Sequence, residues 1–397
     1  MHRRQFLAHA AALPLLWHGS RLYAAPDSGA RLLVVFMRGA YDAASLLVPA
    51  GSDFYYESRP TIAIARPGSG PDAARPLADG WALHPALADS LLPYYQRGEL
   101  AFVPFAGTAD LSRSHFETQN SIERGDPGDG ARADLRSGFL NRLAGELTQG
   151  RHAPAAFTQD VPQIFCGRVG VPNIDLGRGP AAGLTGDRAR ALAAMYQGTD
   201  LARPVEEGLD IAGRARDALA RELSEANGKA VPVQRLAREA QRIARFMRDR
   251  YNLGFVDVGG WDTHVAQGAA NGALARNLAQ LGRALAAYAQ AMGPAWRDTT
   301  VVVISEFGRT FRENGNKGTD HGHGSVYWVL GGGVRGGRIA GRQVAVGRDT
   351  LFQDRDYPVL NDYRGVFAGL FGRLYGLRTA SLQRIFPGVR PLDLQLV

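Results

Sequence analysis

Val301-Val302-Val303-Ile304-Ser305-Glu306-Phe307-Gly308-Arg309-Thr310 is followed within ten residues by Thr319-Asp320-His321-Gly322-His323-Gly324. The first half reads as a strand over Thr300 to Ser305, apolar without alternation and so covered on both faces. The second half carries the densest set of metal-ligand side chains in the chain, spaced by glycines. Loops that follow buried strands are where α/β sheets place their chemistry, so this stretch predicts both a fold class and a site.

Working outward, Arg31 to Met37 (RLLVVFM) is a second run of the same kind, ending in Arg38-Gly39-Ala40-Tyr41-Asp42. Leu100 to Pro104, Gly254 to Val258 and Val326 to Leu330 read as further strands. Helical patterns fall at Pro85 to Tyr95, from Ser114 onward, at Phe139 to Leu147, Ala275 to Met292 and Tyr363 to Leu377. A helical insertion is expected over 187–250, broken near Gly228 to Pro232. Gly125 to Ala133 reads as a charged, glycine-rich loop, and Gln163 to Pro180 as irregular. Strands separated by helices along the whole chain predict a three-layer α/β/α sandwich with a mostly parallel central sheet.

Hard-ligand residues recur at the strand ends. Asp42 follows the first strand, Asp262 and His264 follow the Gly254 strand, and Glu306 closes the Val301 strand. Asp320, His321 and His323 precede the Val326 strand. A parallel sheet brings such ends to one edge, so a shared site for one or two divalent ions (zinc, manganese, magnesium or calcium) is expected. In extended backbone Asp262 and His264 share a side, as do His321 and His323. Each has a plainer reading. Asp42 fits a helix cap, Asp262 a residue of the Gly259-Gly260 turn, and Glu306 a buried partner of Arg309.

Ser114-His115-Phe116-Glu117 fits a capping box, serine at the cap and glutamate three residues on. A hydroxyl at a helix N-terminus also sits where backbone N–H groups favour an anion, so Ser114 is a candidate nucleophile. Arg113 and Arg309 are candidate clamps for anionic oxygens and His115 a candidate general acid or base. The glycine run at Gly331 to Gly337 has no convincing helix after it, and no GxGxxG opens a βαβ unit after the first strand. A dinucleotide oxidoreductase is not indicated.

Arg3-Arg4 ahead of an apolar, alanine-rich run, with Leu22-Tyr23-Ala24-Ala25 behind it, looks like a twin-arginine export signal over 1–25. It predicts a periplasmic or extracellular protein with no stable membrane span once the signal is removed. Loss of Arg3, Arg4 and Arg21 lowers the formal charge from +8 to +5. The remaining arginines are scattered over helical faces with no aromatic-interleaved basic strip, so nucleic-acid binding is not expected. Cys166 is the one cysteine, which excludes an internal disulfide and a cysteine-built metal site.

VVFMRGAYDAASLLVP, ALHPAL at Ala82 to Leu87, SRSHFETQ, GGWDTH, SEFGRT, TDHGHG, NDYR and the IFPG of Ile385 to Gly388 together span nearly all of 26–397. In this combination the chain resembles the exported bacterial proteins grouped as DUF1501, a family related to the alkaline phosphatase and sulfatase superfamily. The resemblance implies one alkaline phosphatase-like domain and a site with one or two divalent metals. It makes Asp42 look like the superfamily's aspartate ligand after the first strand and Asp262 with His264 like its ligand pair. Ser114, or less so Ser112, lies in the region of its hydroxyl nucleophile. Asp320, His321 and His323 resemble its last histidine region. The chain departs from the superfamily at Glu306-Phe307, where an Asp-His pair is usual. The implied activity is metal-dependent hydrolysis or transfer of a phosphate or sulfate ester, with an anionic ester substrate or envelope component as partner. The alternative is a non-catalytic envelope protein of the same fold that binds a glycan or protein.

Overall fold

A computed structural model describes residues 29–126, 136–147, 153–158, 160–174, 190, 193–199, 201–209 and 235–397. The export signal, most of the Gly125 to Ala133 loop and much of the 187–250 insertion lie outside the described residues. Within that insertion, 202–209 and Arg235–Asp249 are helical.

The strands are β1 (Arg31–Met37), β2 (Leu47–Val48), β3 (Arg75–Pro76), β4 (Ala82–Leu83), β5 (Leu100–Gly107), β6 (Pro154–Ala156), β7 (Leu253–Val258), β8 (Thr299–Ser305), β9 (Ser325–Leu330), β10 (Arg338–Ile339) and β11 (Asn361–Asp362). The main sheet runs β10-β5-β9-β8-β1-β7-β6, with β11 beside β5, and β2, β4 and β3 form a small antiparallel sheet. At its centre β1 pairs in parallel with β7 and β8, Met37 opposite Val258 on one side and Ser305 on the other. The carboxyl ends of three strands thereby open side by side.

The expectation of a mostly parallel sheet holds, with one strand reversed. β9 runs antiparallel to both β8 and β5. No helix lies between Ser305 and Ser325 to carry the chain back to the other edge, so β9 re-enters from the edge where β8 ended.

Outside 190–209, the α-helices of the described residues are α1 (Ala43–Leu46), α2 (Asp53–Ser58), α3 (Leu92–Gln96), α4 (His115–Arg124), α5 (Phe139–Glu146), α6 (Arg235–Asp249), α7 (Ala273–Met292), α8 (Tyr363–Tyr375) and α9 (Thr379–Ile385). Alternate residues of the central strands feed two cores. Leu33, Val35 and Val303 pack with Ile243 and Met247 of α6 and Leu278 and Leu281 of α7. Val34, Phe36 and Val302 pack with Phe139 of α5, Phe367 and Phe371 of α8 and Ile385 of α9. Each such fully buried side chain contributes roughly 1.5–3 kcal/mol, and together they make the three layers. Gly254 lets α6 approach the sheet, because a Cβ there would lie 2.8 Å from the Met247 sulfur.

Two boundaries differ from the sequence reading. The helix expected over Pro85 to Tyr95 is a 3₁₀ turn at Pro85–Leu87 followed by α3, with Pro93 in the first turn of α3. A proline deeper inside one continuous helix would remove a ladder bond and clash. β5 continues past Pro104 to Gly107 through a register shift between Val103 and Ala106. Among the described residues, no helix is long and apolar enough to cross a membrane.

Candidate metal centre

Three imidazoles and one carboxylate meet over the carboxyl edge of β1, β7 and β8. His115 is the first residue of α4, Asp262 and His264 follow β7, and His321 lies between β8 and β9. His321 Nε2 lies 3.0 Å from His115 Nε2 and 3.1 Å from His264 Nε2. Asp262 Oδ1 is 2.9 Å from His264 Nε2 and 3.4 Å from His321 Nε2, and its Oδ2 is 3.6 Å from His115 Nε2. A tetrahedral ion with bonds of about 2.0–2.1 Å sets its ligands roughly 3.3–3.4 Å apart. The observed separations bracket that value.

The ring nitrogens on the far side fix the tautomers. His115 Nδ1 faces Glu306 Oε1 at 2.7 Å, His321 Nδ1 faces the Arg113 carbonyl at 2.9 Å, and His264 Nδ1 faces Asp320 Oδ1 at 3.2 Å. A carbonyl accepts and cannot donate. Burial would raise the Glu306 carboxyl, but hydrogen bonds from His115, Gln119 and the Gly39 N–H hold it below its usual range. The Asn314 side-chain bond, with His264, does the same for Asp320. All three Nδ1 atoms therefore donate, and the three Nε2 atoms turn toward one another and Asp262, that of His264 also lying 3.4 Å from Arg309 Nη1. Outer partners of this kind orient metal-ligating histidines. Hydrogen bonding to Glu306 raises the His115 pKa against the opposing effect of burial, whereas burial lowers that of His321.

The loops reach this geometry through close backbone contacts. Gly39, at φ +116°, has no room for a side chain, since a Cβ would sit 2.8 Å from the Asp262 amide nitrogen. Its own N–H donates to Glu306 Oε1 at 2.8 Å. Gly322 passes against the Arg309 backbone, which is why the ligand loop alternates glycine with histidine. The site stays open on one side, where the Asp262 side chain is 45% exposed and that of His115 20%.

Several residues expected to ligate or react do something else. Asp42 is not in the cluster. It is buried, forms a two-pronged ion pair with Arg59 at 2.5 and 3.0 Å, and accepts from Ser45 and Gln267. Its side chain makes no cap bond to α1. Glu306 stands behind His115, its oxygens taken by His115, Gln119, Gly39 and Ser305. Asp320 stands behind His264. His323 packs its ring at a tilt against Phe352, centroids 5.0 Å apart, and burial pushes its pKa down to about 4. His115, expected as an acid or base, has its Nε2 beside His321 and Asp262.

The two arginines are also committed. Arg309 is buried and donates to the carbonyls of Gly39, Ala40 and Thr319 and to Asp262, with its Nη1 also 3.4 Å from His264 Nε2. Arg113 donates to Gln353 and Asp356. Neither guanidinium is held out as a clamp. Ser114 caps α4, its hydroxyl 3.5 Å from the Glu117 N–H, and Ser112 Oγ lies 3.3 Å from Thr118 Oγ1. Sequence reasoning missed Arg59, Gln119 and Gln267 altogether. The signal for His115 was its place one residue after the Ser114 cap.

A largely parallel α/β sheet with an imidazole–carboxylate cluster at its carboxyl edge defines an α/β protein with a metal-type donor set. The family model described as "Protein of unknown function (DUF1501)" matches residues 29–386, and the chain belongs to that family. No curated protein matches the sequence. Among solved structures, Ps i-CgsB is similar at 11% identity and a TM-score of 0.38, over 92% of this chain and 75% of that one. A protein in the alkaline phosphatase superfamily from Vibrio parahaemolyticus aligns at 13% identity and a TM-score of 0.37, over 77% of this chain and 62% of that one. The soluble domain of lipooligosaccharide phosphoethanolamine transferase A from Neisseria meningitidis aligns at 11% and 0.36, over 78% and 80%. At these values the reading of the site rests on its own geometry.

Proposed function

We propose that this chain is an exported metal-dependent hydrolase or transferase acting on a phosphate or sulfate ester. The observation that carries the reading is the convergence of His115, His321 and Asp262, with His264 Nε2 beside His321 and Asp262 and one side open. Three nitrogens and one carboxylate suit a single zinc or manganese ion better than magnesium or calcium, which prefer all-oxygen shells. A bound ion of this kind would supply Lewis-acid polarisation of an ester oxygen. Ser114 would supply the nucleophilic hydroxyl. It precedes the ligand His115 directly and caps α4, whose first backbone N–H groups favour a negatively charged group nearby. Glu306 and Asp320 would hold the rings of His115 and His264 in the metal-facing tautomer, and Arg309 would keep Asp262 ionised and in place.

The Arg3-Arg4 motif supports export by the twin-arginine route. A second reading, a non-catalytic protein that keeps the metal and binds an envelope component, is favoured by one observation: both Arg113 and Arg309 are bonded within the protein. Metal analysis of the purified protein, followed by a panel of phosphate and sulfate esters at fixed metal content, separates the two. Turnover that disappears in Ser114→Ala while metal content stays constant supports the enzyme. A fully loaded wild type inert across the panel contradicts it.

A further inference from the structure

The geometry points to Gln267 as a positioning residue that ties both metal-ligand loops to the buried Asp42–Arg59 pair, and so sets the affinity of the site. The inference rests on reading the histidine cluster as a metal centre. Gln267 is fully buried, and its side chain is used at both ends. Its amide nitrogen donates to Asp42 Oδ2 at 2.7 Å. Its amide oxygen accepts from Thr263 Oγ1 at 2.9 Å and from Thr319 Oγ1 at 3.0 Å. Thr263 lies between Asp262 and His264, and Thr319 precedes Asp320 and His321. One amide oxygen thus holds both loops, which also meet through backbone bonds from Ala266 to Asn316 and from Thr319 to Thr263.

The other end of the network is equally fixed. Arg59 pairs with Asp42 and also donates to the carbonyls of Thr310 and Phe311, at 3.1 and 2.6 Å, which anchors the segment that carries Arg309. The backbone of Gln267 is held by the Lys317 carbonyl at 2.9 Å. His84 Nε2 meets the Ala269 carbonyl at 3.1 Å just beyond. Asp42, which follows a strand as a ligand would, therefore acts from beneath the site. Its Oδ2 accepts from Arg59, Ser45 and Gln267 and its Oδ1 from Arg59, so its charge is spent on the protein's own donors. Its charge reaches the cluster through the amide of Gln267 and the two threonine hydroxyls. Such outer partners govern metal affinity because they fix where the ligand atoms wait before the ion arrives.

The test uses the full chain and zinc itself. Thr263→Val, Thr319→Val and their combination keep side-chain shape and remove the hydroxyl, and Thr263→Ser restores it. Zinc dissociation constants are read by chelator competition, and the ligand field by the visible spectrum of the cobalt-substituted protein. The double valine variant is expected to bind zinc about 10–100-fold more weakly with an altered cobalt spectrum, and Thr263→Ser to bind within about threefold of wild type. Gln267→Met should match the double variant; if it fails to fold, the threonine variants decide. A double variant that binds as tightly as wild type with the same cobalt spectrum overturns the inference, even if its metal-free form melts lower. A wild type that binds no zinc overturns the inference together with the metal reading beneath it.

Discussion

Asp42 and Asp262 each follow a central parallel strand and each pairs with a buried arginine, yet they end in opposite situations. Asp42 is 1% exposed, with both oxygens claimed by Arg59 and by the side chains of Ser45 and Gln267. Asp262 takes one arm of Arg309 on Oδ1, is half exposed, and turns its remaining capacity toward three imidazoles. An aspartate at a strand end becomes a metal ligand only if its lone pairs are left over after the protein's own donors are served. The first aspartate is thus held in a structural ion pair and the second faces the imidazole cluster, although their sequence settings look alike.

The contrast is broken most severely at Asp42. Asp42→Asn leaves Arg59 buried and charged without its partner, and stability should fall by about 3–5 kcal/mol in chemical denaturation. Burial alone would raise the Asp42 carboxyl, but the charge and hydrogen bonds of Arg59 hold it below its ordinary value of 3.8. Its contribution is therefore complete above that pH and lost as pH falls through the lowered value. Wild type should show an acid-unfolding limb below pH 3.8 that is diminished in Asp42→Asn. An unchanged limb would mean that the pair is not what holds these loops.

Asp262→Asn should do the reverse. Stability should fall by less than in Asp42→Asn, because Asp262 is half exposed and the buried Arg309 keeps three carbonyl acceptors. Zinc affinity should fall by about 100-fold or more, beyond what outer partners give, as measured by chelator competition. Equal loss of stability in the two variants would erase the distinction. Glu306→Gln should weaken zinc binding by about tenfold, since a neutral amide is a poorer partner for His115 Nδ1 than a carboxylate. Ser114→Ala should cost about 1 kcal/mol through the lost cap of α4 and leave zinc affinity unchanged, which separates capping and chemistry from metal binding.

The sequence carried the layers well. β1 and β8 are unbroken apolar runs, and the buried faces they imply are the faces found. The direction of β9 was not legible, because it depends on the missing crossover helix rather than on the residues of β9. At the site, residue types announced Asp262, His264 and His321, which the structure brings together. Asp42, Glu306 and Asp320 were announced equally loudly, and their oxygens face the protein's own donors. What separates them is which donors reach their oxygens first, and those donors, Arg59, Gln267, Gln119 and Asn314, have no motif of their own. His115 was hidden for the opposite reason: one histidine on a helix carries no spacing signal until the fold sets it against His321.

X-ray absorption fine structure of the zinc-loaded protein tests the central claim most directly. The account predicts three imidazole nitrogens and one carboxylate oxygen at about 2.0–2.1 Å around a single ion. A shell with fewer than three imidazoles, or a second metal at about 3.5–4 Å, would contradict it.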